Sequence, residues 1–394
     1  MSMNYTKVDF LTKEIVRNLD KKKVIANFAE NKSLEGQLKQ QGDTVLVQVL
    51  PDVTWNRGGT AGADITDNSF SITQESLKID KVATVRYEMT ELDTIQYNRG
   101  LMSDVSSRVA EGQARLIDQY VAGFVRKAET TNKFNEVTPV TLATNTIQAE
   151  IEKLRVALDE KNVNVYQKQV GLFISPNISS LLRQAGFLAS TDKGVDIAIN
   201  GYMGKMSGFE LYETNMLPTA VSLTLDTQPT AGNTVTINGI VFTYVGAGTA
   251  ANPGEIALTG SLAGDQANLV NAINGTGTKS AATYIDVSTA NRKILSNLDL
   301  FSIDFATNVA TLYANSTLTC TETFTAGTNV FGAVSKIMFA MEKGAVHTAY
   351  QFNKMKVTEA ELGFRSNLLG EMVYGGNVFS INGRRIATSR VANA

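Results

Sequence analysis

The sequence predicts an α+β fold that carries an inserted, mostly β module. Hydrophobic periodicity is two over 43–50 and switches to three and four over 101–128. A helix–strand–helix run follows over 151–182, in the manner of an α/β segment. Composition then shifts sharply at about Met216, and the earlier pattern resumes after Val330.

Length and composition bound the rest. At 394 residues the chain is long for one domain and suffices for two or three. Lys and Arg number 36 against 38 Asp and Glu, so a surface built throughout to grip nucleic acid or anionic lipid is not expected. Hydrophobic residues at 43% and charged residues at 19% exclude wholesale disorder. One Cys excludes an internal disulfide framework and a Cys-based zinc cluster, and one His excludes multi-His metal sites. No apolar run reaches the roughly 18 residues of a membrane span. The start, Met1-Ser-Met-Asn-Tyr-Thr-Lys7, lacks the apolar core of a signal peptide, so synthesis and folding in a cytoplasm are expected.

Phe10, Leu11, Ile15 and Leu19 recur at helical steps, followed by Lys21, Lys22 and Lys23 and then Val24, Ile25 and Phe28. A helix so short has little core of its own and needs another element or subunit to pack on. The β-branched run 43–50 reads as a strand, and Trp55-Asn-Arg-Gly-Gly-Thr-Ala-Gly-Ala63 as a glycine-rich tip. Alternation at 70–72 and 77–79, continued by Val82, Val85 and Tyr87, suggests a long two-stranded arm. An isolated hairpin is marginal in water, so the arm needs something to lie on. Residues 101–128 read as a spine helix of about 40 Å, weakened at Gly112 and Gly123.

Ile151, Leu154 and Leu158 predict a helix ending near Asn162. Val170-Gly-Leu-Phe-Ile174 is a buried-type strand, and Ser175-Pro-Asn177 opens the next helix. A glycine-spaced turn and strand follow over 201–211. Between 216 and 330 the basic residues are Lys279, Arg292 and Lys293, while seven residues are acidic and threonine dominates. There Asn238-Gly239 joins two alternating runs as a hairpin, and 265–274 reads as a capped helix. Pieces near Tyr284, Ile294, Ile303, Leu312 and Leu318 suggest more strands. After this separate module, 334–341 reads as helix or buried strand, with closing strands at 356–358 and 374–381.

Catalytic constellations are missing. Gly246-Ala-Gly248 lacks the strand–helix setting of a dinucleotide loop, and no phosphate-cradling loop occurs. Glu359 and Glu361 lie two apart and do not share a helix face. His347 reads as a lone structural imidazole and Cys320 as a small buried side chain. Lys21–Lys23 and Arg384-Arg385 read as solvated faces, with a polyanion contact the sharper alternative. Trp55, an aromatic on a loop tip, suits an anchor in a neighbour's pocket.

The order of these parts, and the motifs Asn4-Tyr-Thr-Lys-Val-Asp-Phe10, Gly42-Asp-Thr-Val45, Ala61-Gly-Ala-Asp-Ile65, Leu172-Phe-Ile-Ser-Pro-Asn177, Gly204-Lys-Met-Ser-Gly-Phe-Glu-Leu211 and Tyr374-Gly-Gly-Asn377, resemble the major capsid proteins of tailed bacteriophages, most closely the coat proteins of short-tailed phages. The resemblance covers about 1–215 and 331–394. It implies the Hong Kong 97-like fold: an N-terminal arm at 1–42, an extended loop at 43–90, a peripheral domain with the spine helix at 91–135 and 346–394, an axial domain at 136–215 and 331–345, and an inserted β-rich domain at 216–330. It implies a structural shell protein, not an enzyme, with no cofactor and no metal, that assembles into pentamers and hexamers around double-stranded DNA.

The partners so implied are further copies of the chain, a separate scaffolding protein (the chain opens directly on the arm), a portal protein at one vertex, and DNA held by weak non-specific contact, with no membrane. The location implied is the virion, after assembly in the host cytoplasm. Trp55, Arg57, Gly58 and Gly59 at the tip, with Phe10 and Phe28 in the N-terminal arm, are the expected intersubunit contacts. The tip carries Arg57, with Lys78 and Lys81 farther down the arm, so covalent cross-linking through a tip lysine is not expected. An encapsulin-like compartment shell is the alternative, and a hydrolase using His347 lacks a nucleophile and an acid. A glycan-binding reading of 216–330 would rest on Phe242, Tyr244, Tyr284 and Tyr313 stacking on sugars; a structural contact or surface decoration is the preferred role.

Overall fold

The computed structural model describes residues 23–34, 42–49, 72–90, 100–186, 202–324, 328–352, 356–359 and 365–392. In chain order its helices are α1 (Ile25–Ala29), α2 (Gly100–Gly123), α3 (Ile147–Glu160), α4 (Pro176–Gln184), α5 (Leu262–Asn274) and α6 (Thr289–Asn297). The strands begin with β1 (Glu30–Asn31), β2 (Thr44–Val49), β3 (Thr73–Lys78), β4 (Lys81–Thr90), β5 (Lys133–Phe134), β6 (Val170–Ile174), β7 (Tyr202–Met206) and β8 (Phe209–Glu213). Within the module lie β9 (Thr219–Thr224), β10 (Thr234–Ile237), β11 (Ile240–Val245), β12 (Glu255–Ala257), β13 (Phe301–Ser302), β14 (Val309–Ala314), β15 (Cys320–Glu322) and β16 (Val330–Phe331). The last strands are β17 (Ser335–Glu342), β18 (Val346–Phe352), β19 (Lys356–Glu359), β20 (Arg365–Asn377) and β21 (Ile386–Val391).

Two compact units divide the chain. The first takes residues up to 23, 27–114 and 344–385; the second takes 24–26, 115–343 and 386–394. In the first unit a sheet runs β1-β18-β20-β19, with β4 also on β20. The arm is a separate two-stranded ladder of β2 and β3, in register from Thr44↔Lys78 to Val49↔Thr73. The strand character at 82–87 does not extend this arm. The Gly42 amide donates to the Ile79 carbonyl and the Ile79 amide to the Asp43 carbonyl, which closes the ladder; β4 then pairs along β20 instead. The expected strand over 374–381 ends at Asn377, and Ser380–Arg385 forms a 3-10 turn. Helix α2 stops at Gly123, short of the expected 128, and Phe124–Lys127 continues as a 3-10 turn.

In the second unit a ten-stranded sheet follows the order β13-β14-β9-β17-β6-β8-β7, with β16 on β9, β21 on β17 and β5 on β21. Every residue of β6 is buried, which explains its uninterrupted apolar run. Its core gathers Ile151, Leu154 and Leu158 of α3, Ile178 and Leu182 of α4, and Met338 and Ala340 of β17. The stretch 334–341, left open between helix and strand by its sequence, is strand β17. The Ser175 hydroxyl accepts from the Ile178 amide at 3.3 Å and Pro176 opens α4, as expected.

The inserted module has its own core. Val235, Ile237, Phe242, Tyr244, Leu269, Ile273, Tyr284, Leu295 and Leu312 pack together between the sheet β12-β11-β10-β15, helices α5 and α6, and β9 with β14. Asn238 and Gly239 adopt φ of 48° and 80°, the left-handed pair that a two-residue hairpin turn requires. Helix α5 starts three residues before the expected Asp265, because Ser261 is its cap. Ile294, read as strand, lies in α6, capped by Ser288. The module is also less separate than its composition suggests: β9 continues the neighbouring sheet through Ser335↔Ala220 and Lys336↔Thr219 of β17.

Candidate functional site

Two polar roots stand out, one in each unit. In the first unit the arm is held where it begins. Val49, Leu77 and Ile79 face Ala349, Val373 and Phe379 in one apolar cluster. Leu46, on the opposite side of β2, is 65% exposed. Gly375 makes this close packing possible, since a Cβ there would lie 2.0 Å from the Lys78 carbonyl oxygen. The Glu75 carboxylate accepts from the Ser380 amide at 2.9 Å and from its hydroxyl, and Asn377 Nδ2 donates to the Ser76 carbonyl at 2.9 Å. The Gly-Gly-Asn motif therefore serves as the seat of the arm, a role its sequence hinted at only through the paired glycines.

The second root lies where the inserted module joins its unit. Arg390 is 1% exposed. Its guanidinium donates to Ser335 Oγ at 2.9 Å, to the carbonyls of Ala333 and Ala220 at 3.4 and 3.5 Å, and to that of Glu136. The Tyr313 phenol lies 2.8 and 2.7 Å from the two Glu136 carboxylate oxygens. Burial pushes the Tyr313 phenol well above its ordinary range, and the Glu136 charge adds to this. Burial pulls the Lys133 ammonium and the Arg390 guanidinium below theirs, with Glu136 opposing in both cases. Arg126 Nη1 pairs with Asp299 Oδ2 at 2.9 Å, and Asn315 Nδ2 donates to the same oxygen at 3.2 Å. None of these long-range partners carries a local sequence signal.

A third contact belongs to residues 24–26 of the second unit. The Asp118 carboxylate on α2 accepts from the amides of Val24 and Ala26, both at 2.8 Å, and so caps α1. A side-chain cap of this kind contributes about 1 kcal/mol.

The expected contact residues Phe10, Trp55, Arg57, Gly58 and Gly59 lie outside the described residues. Phe28 sits on α1, 6% exposed, covered by its own chain. His347 packs against Phe379 at 4.7 Å between ring centroids, and its Nδ1 is buried without a hydrogen-bond partner. Burial, helped by Arg385, lowers its pKa. Burial raises the Cys320 thiol to about 12, with Glu322 adding, so the thiolate nucleophile is suppressed. Phe242, Tyr244, Tyr284 and Tyr313 are all buried, which removes the aromatic platform a sugar would stack on. Among the described residues no group of three His, Cys, Asp or Glu could hold a metal, and no helix is long and apolar enough to cross a membrane.

The polar side chains described so far hold segments of the chain in place. Residues 73–258, a little under half of the chain, match the model of the family described as phage capsid protein. The matched stretch runs from β3 through α2 to β12. No curated protein matches it by sequence. Among solved structures, the capsid of cyanophage P-SCSP1u is similar at 12% identity and a TM-score of 0.49, with 95% of this chain and 90% of that one covered. A structure from Mycobacterium phage Che8 is similar at 12% identity and 0.48, covering 93% and 90%. The virus-like particle from Pyrococcus furiosus is similar at 9% identity and 0.40, covering 96% and 97%.

Proposed function

We propose that this chain is a major capsid protein that self-assembles into the icosahedral shell around the double-stranded DNA of a tailed phage. The phage capsid family match over 73–258 carries this reading. A closed shell asks one surface to meet several rotated copies of itself. The exposed Leu46 side of β2 suits such contacts: an apolar side chain there has no partner layer above it among the described residues, while the arm root is clamped. The tip residues Trp55, Arg57, Gly58 and Gly59, with Phe10 of the N-terminal arm, are proposed as the contacts a neighbouring subunit receives; Phe28, covered by its own chain, is not among them. A separate scaffolding protein, a portal protein and weakly bound DNA complete the proposed partners, with assembly in the host cytoplasm and affinity to the short-tailed subgroup. The domain boundaries 1–42, 43–90, 91–135 with 346–394, 136–215 with 331–345, and 216–330 are proposed with it.

Negative-stain electron microscopy of the chain, expressed alone and with its neighbouring genes, tests the proposal. Closed polyhedral shells or capsomers are expected. A persistent monomer under both conditions overturns it.

A further inference from the structure

We propose that Arg390 makes the inserted module and the closing strand β21 open and close as one, so that the seating of the module governs the seating of the C-terminal strand. This holds whether or not the chain builds a shell.

The acceptors around Arg390 come from separate stretches of chain. Ala220 lies in β9, the first strand of the module. Ala333 and Ser335 lie where the chain leaves it, and Glu136 lies on the segment that follows β5. Ser335 Oγ itself donates to the Ala220 carbonyl at 3.1 Å, so the two ends of the module are joined beneath the guanidinium. The rigid fork of a guanidinium can serve several acceptors at once, which an ammonium cannot do at these separations.

The consequence follows from burial. If β9 and the 333–335 stretch leave, a buried cation loses its Ser335, Ala220 and Ala333 acceptors and keeps only the Glu136 carbonyl, while β21 still holds it away from water. A buried charge without partners is costly, so β21 must release as well. Coupling of this kind is reciprocal: release of β21 removes the guanidinium donor shared by the Ala220 and Ala333 carbonyls, leaves Ala220 to Ser335 Oγ, and so loosens the module's base. The core of α5, β10 and β11 takes in Val221 and Leu223 of β9, but β10 and β11 are held by their own ladder from Thr234↔Thr243 to Ile237↔Ile240 and stay closed.

Hydrogen exchange of the full chain, read by mass spectrometry, tests this. Arg390→Met keeps the stem and removes the donors. The expected result is a matched acceleration, tenfold or more, in 386–391 and 219–224, with 170–174, 234–245 and 262–274 within twofold of the parent. Acceleration confined to 386–391, acceleration spread evenly over all five segments, or no acceleration overturns the proposal. If Arg390→Met does not fold, Ser335→Ala removes the hydroxyl that accepts from Arg390 and donates to Ala220, and is read over the same segments by the same criteria.

Discussion

Arg126 and Asp299 form an ion pair at 2.9 Å, and Asp299 holds a positive φ of 47° to make it. The pair joins the turn after the spine helix to the loop before β13, and Arg126 also lies over the Phe301 ring at 5.2 Å. Both side chains are mostly buried, so screening by solvent is limited. A double-mutant cycle with Arg126→Ala and Asp299→Ala should give a coupling of about 1 kcal/mol in chemical denaturation. Additive single effects would mean that the ion pair contributes nothing.

Gly375→Ala should be among the more damaging single changes in the first unit. The added methyl would meet the Lys78 carbonyl oxygen at 2.0 Å and the Ile79 Cα at 2.8 Å, both of them backbone atoms that cannot turn aside. A loss of about 3 kcal/mol is expected, seen as a lower denaturation midpoint. Unchanged stability would show that the arm root is not seated on β20 in this way.

Tyr244→Phe should stabilise the inserted module. The Tyr244 side chain is fully buried, and its hydroxyl has no hydrogen-bond partner. Removing an unpaired buried hydroxyl returns its desolvation cost, about 1 kcal/mol. A rise in the melting temperature is the expected reading; a fall would mean that the hydroxyl is satisfied.

His347 should make stability pH-dependent on the acid side. Its folded pKa lies below the ordinary value because burial and Arg385 oppose the charged ring. As pH falls below about 6.5, the unfolded chain takes the proton first, so stability falls until the folded pKa is also passed. Above that window the contribution is constant. His347→Gln should flatten the slope of denaturation midpoint against pH between 5 and 7, while a slope unchanged by the substitution would place its origin elsewhere.

Deleting residues 55–62 should leave subunits that fold but do not close into shells. Circular dichroism checks the folding and electron microscopy the closure. Normal particles from the deletion would remove Trp55, Arg57, Gly58 and Gly59 from the contact.

Local chemistry made much of this fold legible. Asn238-Gly239 announced its hairpin because only that backbone geometry fits the turn, and Ser175-Pro176 announced α4 because both satisfy a helix start. The buried run of β6 spoke through its length and its lack of polar residues. What stayed hidden is pairing between distant segments. Nothing near Val82 or Tyr87 says that β4 belongs with β20, and nothing near Ala220 says that β9 joins β17. Ile294 misled because a nine-residue helix offers too few turns to establish its period. Arg390, Arg126 and Glu136 carry no local signal, since burial of a polar side chain is a property of the assembled unit. The fold turns the module's aromatics inward, which removes the alternative in which they stack on sugars.

One rung of the sheet fixes where the module leaves its host and returns to it. Thr224 and Val330 are ladder partners, so the chain departs and comes back at the same place. Between them most of the chain closes on its own core, while β14 returns to lie along β9. Chain ends held together permit insertion without rethreading the host. A replacement cassette of different shape and surface would therefore have to bring its two ends back side by side and keep the Ala220 and Ala333 carbonyls at Arg390.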